Sequence, residues 1–308
     1  MPIDFRRFNG PEDSIPYKAF TSNCVRTYDE LYKDLFDDSG KRKDGRALDE
    51  MRSMYARTGM VSQAKGSSYI EQNRTKVVCS VFDPREISHQ NEFSDVGQLY
   101  CEVKFAPFSC PRRRRPHAPD TEERALSSDL RKALESVVCR DLFPNFQIDI
   151  FVYILEHDGS CLAAALNAAG LALVDAAVPM YGIITGCSAA VIEDKIFVDP
   201  TEEEEHLALT RVISEKNHGL VTACMYHNLR QICDLRQIGS INMETIKDIL
   251  VILENNSGRI EPYMEQIIVT NVEDQCEEQQ ILDEESKIKE KALNAMAEEW
   301  RTKLNLES

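Results

Sequence analysis

Three segments of this chain hold residue types that could do chemistry. The first is Pro111-Arg112-Arg113-Arg114-Arg115-Pro116. Four guanidiniums between two prolines do not fit a helix interior, so the segment reads as a stiff exposed loop. Arg contacts phosphate oxygens in a bidentate manner, which points to phosphate binding. A solvated charge run or a localisation signal is the plainer reading. No aromatic residue is interleaved, so base stacking is not indicated. The second segment is His157-Asp158-Gly159-Ser160-Cys161, where a strand gives way to a helix. Backbone N–H groups at a helix start attract anions, and glycine lets a phosphate come close. A working phosphate site would usually add a cation, whereas Leu162 and Ala163 come next, so a turn capped by Ser160 is the simpler reading. The third is Asp199-Pro200-Thr201-Glu202-Glu203-Glu204-Glu205. Carboxylates at a strand end could hold Mg²⁺ or act as an acid, but four consecutive Glu read as a solvated helix start. Cys224-x-x-His227 with Cys233 could contribute to a metal site, but no second ligand pair stands at finger spacing. The sequence has no P-loop, G-x-G-x-x-G, G-x-S-x-G or H-E-x-x-H.

The elements that must position these residues can be read from periodicity. Thr75 to Phe82 is β-rich and is ended by Asp83-Pro84. Leu99, Cys101, Val103 and Phe105 alternate with polar neighbours, as in a half-buried strand. Ile148 to Leu155 is a longer β run. Asp120-x-x-Glu123 is a capping-box signature, and the apolar spacing behind it predicts an amphipathic helix over 121–141. Cys161 to Val178, the longest apolar stretch, is interrupted by Asn167, Gly170 and Asp175 and reads as a buried core helix rather than a membrane span. Ile183 to Ala190 and Lys195 to Val198 suggest a hairpin across Glu193-Asp194, and Asn242 opens a further helix. The order of elements indicates α/β or α+β with a mixed sheet.

Composition sets the outer limits. The chain has 308 residues, with 36 basic and 52 acidic side chains, a net charge of −16. A hydrophobic content of 43% argues against wholesale disorder. The acidity argues against a protein that coats nucleic acid with its whole surface, while a local basic patch stays possible. Ten cysteines without a C-x-x-C, and no apolar signal segment over Met1 to Phe20, lead us to expect reduced thiols inside a cell. The expected organisation is an N-terminal extension over 1–40, a folded domain over 41–272 and an acidic helical tail over 273–308. The tail carries 11 acidic and 5 basic side chains, yet Ile281, Leu282, Ile288, Leu293, Met296 and Trp300 keep a helical stripe. Such a helix docks on a partner or on its own domain, or frays in solvent, and the tryptophan on the stripe favours docking.

The order and spacing of several motifs resemble the RNase PH family. Lys43-Asp44-Gly45-Arg46 is similar to its opening R-P-D-G-R. Ser62 to Tyr69 followed by Thr75-Lys76-Val77-Val78-Cys79 resembles its first hairpin, and Thr121-Glu122-Glu123-Arg124 its first helix. Asp158-Gly159-Ser160 falls at its phosphate loop. Ala176-x-Val178-Pro179-Met180, Asp199-Pro200-Thr201-x-x-Glu204-Glu205, Leu229-x-Gln231-Ile232 and Gly239-x-Ile241 follow in family order. The resemblance runs from about residue 42 to about 265 and is greatest to non-catalytic ring subunits of the eukaryotic RNA exosome.

This resemblance implies an α+β fold, with a mixed β-sheet and packed helices in βαβ units, plus the two extensions. It implies a hexameric ring around an RNA channel, acting in 3′-to-5′ processing of rRNA and turnover of mRNA in nucleus, nucleolus and cytoplasm. The implied partners are other RNase PH-like ring subunits, OB-type cap subunits, a hydrolytic exoribonuclease and RNA, with no membrane, cofactor or metal. Active members hold phosphate through Gly-Ser/Thr-Arg. Gly159 and Ser160 match, but Cys161 stands in place of the arginine, and a thiol supplies no charge-assisted bond to phosphate. Asp199 matches one carboxylate, while the second has no counterpart, since no Asp lies between Thr201 and Cys233. The resemblance therefore implies a pseudo-enzyme with a vestigial phosphate site at Gly159, Ser160 and Asp199, no catalytic residues, and RNA contact at Arg112, Arg113, Arg114 and Arg115. An active phosphate-dependent exoribonuclease is the alternative.

Overall fold

A computed structural model describes residues 28–36, 41–87, 94–110, 114, 120–210, 217–226 and 229–303. The chain divides into two compact units, 1–47 and 48–308. In the first, a short helix α1 (Tyr28–Asp34) stacks Tyr28 on Tyr32. A bridge pairs Phe36 with Arg42, and Asp44 meets Arg46 at 3.0 Å across a turn where Gly45 has φ +80°.

The second unit begins with three antiparallel strands, β1 (Met54–Thr58), β2 (Gly66–Gln72) and β3 (Thr75–Val81). A short β4 (Arg85–Glu86) and β5 (Gln98–Phe105) follow. The expected alternation in β5 is present, with Leu99, Cys101, Val103 and Phe105 buried. Helix α2 (Thr121–Glu135) leads to β6 (Phe146–Glu156), which pairs parallel to β5 and antiparallel to β3 and β4. A β-α-β crossover in a mixed six-stranded sheet results. Helix α3 (Cys161–Asp175) is buried from Cys161 to Leu173 and packs on the inner face of β2 and β3.

A second sheet of four strands has the order β10-β9-β7-β8. It contains β7 (Thr185–Ile192), β8 (Lys195–Val198), β9 (His218–Tyr226) and β10 (Gln231–Ser240), with α4 (Glu202–Leu209) between β8 and β9. Glu193 and Asp194 both adopt positive φ in the expected hairpin turn, the geometry that matches strand twist. Helix α5 (Met243–Lys303) is one helix of 61 residues. Ile249, Leu253, Ile260 and Met264 bury its first half against the core. Asp175 accepts from Ser67 N–H at 2.9 Å and from Asn271 at 3.2 Å, so a single carboxylate joins β2, α3 and α5.

One expectation is corrected. Helix α2 stops at Glu135 and not near 141, because Val138 leaves the helix to bridge Met180 while staying buried. The strands form two sheets, and α3 packs on strands of both. Along the tail, Ile281, Leu282, Ile288, Leu293, Met296 and Trp300 are exposed. No helix among the described residues is long and apolar enough to cross a membrane.

Candidate functional site

The turn between β6 and α3 is built around a residue that carries no motif of its own. Arg52 is buried, just ahead of β1. Its Nε donates to Asp199 Oδ2 at 2.9 Å and its Nη2 to Asp199 Oδ1 at 2.7 Å, a bidentate pair. Nη1 donates to the carbonyl of Asp158 at 2.7 Å and to Thr75 Oγ1 at 3.1 Å, and Nη2 to the carbonyl of Gly159 at 3.4 Å. All five guanidinium N–H donors are thus engaged. Thr75 closes the frame by donating to the Gly159 carbonyl at 2.9 Å. Burial alone would pull Arg52 below its ordinary pKa, but the hydrogen bond and charge of Asp199 outweigh it and raise it. Burial would likewise raise Asp199, yet the Arg52 guanidinium holds it below the usual carboxylate range.

Gly159 has φ +80°, and a Cβ there would run into the Pro200 carbonyl oxygen. Ser160, Asp199 and Gly159 all take left-handed backbone, so two turns press against each other. Ser160 occupies the N-cap position of α3 but makes no side-chain cap, contrary to the expected turn. Its hydroxyl lies 2.5 Å from Ser188 Oγ and 3.2 Å from the Pro200 carbonyl. Its backbone N–H, which a bound anion would use, donates to Glu205 Oε1 at 2.7 Å.

The run of four Glu is therefore not simply a solvated helix start. Glu204 is buried and completes a capping box with Thr201, accepting from its N–H at 2.9 Å. Glu205 turns to the loop, and burial pushes its pKa up to about 7, against the Ser160 N–H and the charge of Arg52. Cys161 is buried against His157, and burial drives its thiol well above the ordinary range. The cavity beside Asp199 measures about 10 Å³. One water needs roughly that much.

The structure thus gathers Gly159, Ser160 and Asp199 into one buried cluster. Sequence reasoning missed Arg52 and the inward role of Glu205. Among the basic residues of 112–115, Arg112, Arg113 and Arg115 lie outside the described residues. Arg114 lies 3.8 Å over the Phe105 ring and pairs with Glu122 at 2.8 Å, so its cation is engaged on the protein. Cys224 and Cys233 hydrogen-bond across β9 and β10, while His227 lies outside the described residues. Among the described residues, no group of three or more His, Cys, Asp or Glu side chains is placed to hold a metal ion.

Residues 50–179 match the RNase PH family described as 3′ exoribonuclease family, domain 1, and residues 182–216 match its domain 2. The chain is 38% identical over 224 residues to the exosome complex component MTR3 of Mus musculus, covering 68% of this chain and 77% of that protein. It is 40% identical over 174 residues to the exosome complex component RRP41-like of Arabidopsis thaliana, covering 56% and 66% respectively. Its fold superposes on the Archaeoglobus fulgidus exosome with RNA bound to the active site at a TM-score of 0.65 and 18% identity, covering 77% of this chain and 96% of that one.

Proposed function

This chain belongs to the RNase PH (3′ exoribonuclease) family, and from that premise we propose that it is a non-catalytic ring subunit of an RNA exosome core. It contributes to ring assembly and to the threading of RNA for 3′-to-5′ processing and degradation. The observation that carries the non-catalytic reading is that the phosphate loop is already filled by the chain's own groups. Glu205 takes the Ser160 N–H that an anion would need. Arg52, the cation at the loop, is held by Asp199 and two loop carbonyls. A phosphate entering here would have to displace a carboxylate of like charge and break a buried bidentate pair. Cys161 supplies no compensating cation.

In this reading residues 41–272 build the ring, with 1–40 and 273–308 as extensions. The Arg112–Arg115 segment contacts RNA through Arg112, Arg113 and Arg115, with Arg114 anchoring the segment on Phe105. The partners are other RNase PH-like ring subunits, OB-type cap subunits and a hydrolytic exoribonuclease, in nucleus, nucleolus and cytoplasm.

Two measurements test this. The purified chain, given single-stranded RNA and inorganic phosphate, is expected to release no nucleoside diphosphate. Phosphate-dependent release would replace this reading with that of an active phosphorolytic exoribonuclease. Affinity purification with mass spectrometry is expected to return RNase PH-like and OB-type subunits at equal stoichiometry, and a chain recovered alone would sink the assignment to a ring.

A further inference from the structure

A groove remote from the phosphate loop has no part in the function proposed above. It opens between the β9–β10 turn and the first half of α5. Met225, Ile232, Leu250 and Val251 give it an apolar lining. Arg230 reaches it from the turn and Glu254 from the helix. Its volume is about 140 Å³. A cavity of about 150 Å³ accepts one benzene ring, whereas sites for nucleotides and other drug-sized ligands run to roughly 300–1,000 Å³. The size therefore suits one large side chain.

The rim is apolar and left to water. Ile232 and Val251 are 47% and 58% exposed. Exposed apolar surface framed by charge marks interaction sites in soluble proteins. Leu229 and Ile232 belong to the Leu229-x-Gln231-Ile232 motif, which the phosphate loop leaves unexplained. Arg230 adopts φ +49°, a costly conformation for a residue other than glycine, at the corner where the turn meets the groove.

We propose that this groove docks a partner polypeptide that inserts one large apolar side chain, flanked by an acidic residue facing Arg230 and a basic residue facing Glu254. The two charges choose the partner class. Glu254 would repel a nucleic acid, and a small hydrocarbon would use neither charge. An apolar anchor seated in a pocket and ringed by polar contacts is the usual form of a binding hot spot. The proposal stands whether or not the chain sits in a ring.

The test uses the full chain and a displayed library of random peptides. Enriched peptides are synthesised and titrated by fluorescence anisotropy. They are expected to share one Leu, Met or Phe between opposite charges. Val251→Trp changes a surface position and fills the groove, so it should weaken binding about tenfold or more at unchanged melting temperature. The double variant Arg230→Glu with Glu254→Arg should invert the preferred order of the flanking charges. Absence of enrichment, or binding indifferent to both variants, overturns the proposal. Self-association of the chain that Val251→Trp abolishes in sedimentation velocity also overturns it, assigning the groove to a second copy.

Discussion

Two carboxylates that close around the β6–α3 turn behave in opposite ways, and their partners decide which. Asp199 faces the full guanidinium of Arg52 and stays ionised, whereas Glu205 faces a single backbone N–H and is pushed up to about 7. Replacing Asp199 by Asn leaves the Arg52 charge buried without its counter-ion. Breaking one side of a buried pair costs about 3–5 kcal/mol. The Asp199→Asn chain is therefore expected to lose that much in urea denaturation at pH 7, and a loss below about 1 kcal/mol would show that the pair is not a structural hub. Glu205 gives a pH signature. Its pKa lies above its ordinary 4.5, so folding favours the protonated form. The stability it contributes is full below about pH 4.5 and is lost as pH rises through about 7. Glu205→Gln keeps an acceptor for Ser160 without the charge. It should stabilise the chain at pH 8 by about 1–2 kcal/mol, after discounting for partial exposure, and change little at pH 4.5. An equal effect at both pH values would contradict the assignment.

At the level of elements, α5 separates two kinds of helix stability. Its first half buries Ile249, Leu253, Ile260 and Met264, and Asn271 donates to Asp175. Beyond that point Ile281, Leu282, Ile288, Leu293 and Met296 lie exposed. A chain ending at residue 272 should melt within about 2 °C of the full chain, because the segment removed buries little. A fall of more than about 5 °C would mean that the stripe docks on the chain itself. The elements legible in the sequence are those whose cause is local. Asp120 and Glu123 make both hydrogen bonds of the capping box, and β5 keeps the alternation that its apolar residues spell out. What was not legible depends on distance. Arg52 lies 147 residues from Asp199 and bears no local mark of its partner. Glu205 is one of four identical residues, and only the packing of α4 against the loop singles it out. Strand β10 is half-exposed and largely polar, so its pairing with β9 left little periodicity to read.

Across the whole molecule, the net charge of −16 and the proposed RNA contact are reconciled by number rather than by sign. Arg114 is occupied by Phe105 and Glu122, which leaves Arg112, Arg113 and Arg115 as the cations the segment can offer to RNA. For a single strand the logarithm of affinity falls with the logarithm of salt at about 0.7 per phosphate neutralised. Three arginines therefore allow a slope no steeper than about −2. The net charge of −16 opposes RNA over the chain as a whole, so the isolated chain should bind single-stranded RNA weakly. Anisotropy titrations between 50 and 200 mM salt are expected to give that shallow slope. The triple variant Arg112→Ala, Arg113→Ala, Arg115→Ala should remove it. A slope near −5, or one that survives the triple variant, would place RNA on another surface. If the shallow slope holds, one chain can guide RNA past a point but cannot grip it, and processive threading must draw on cations from several subunits at once.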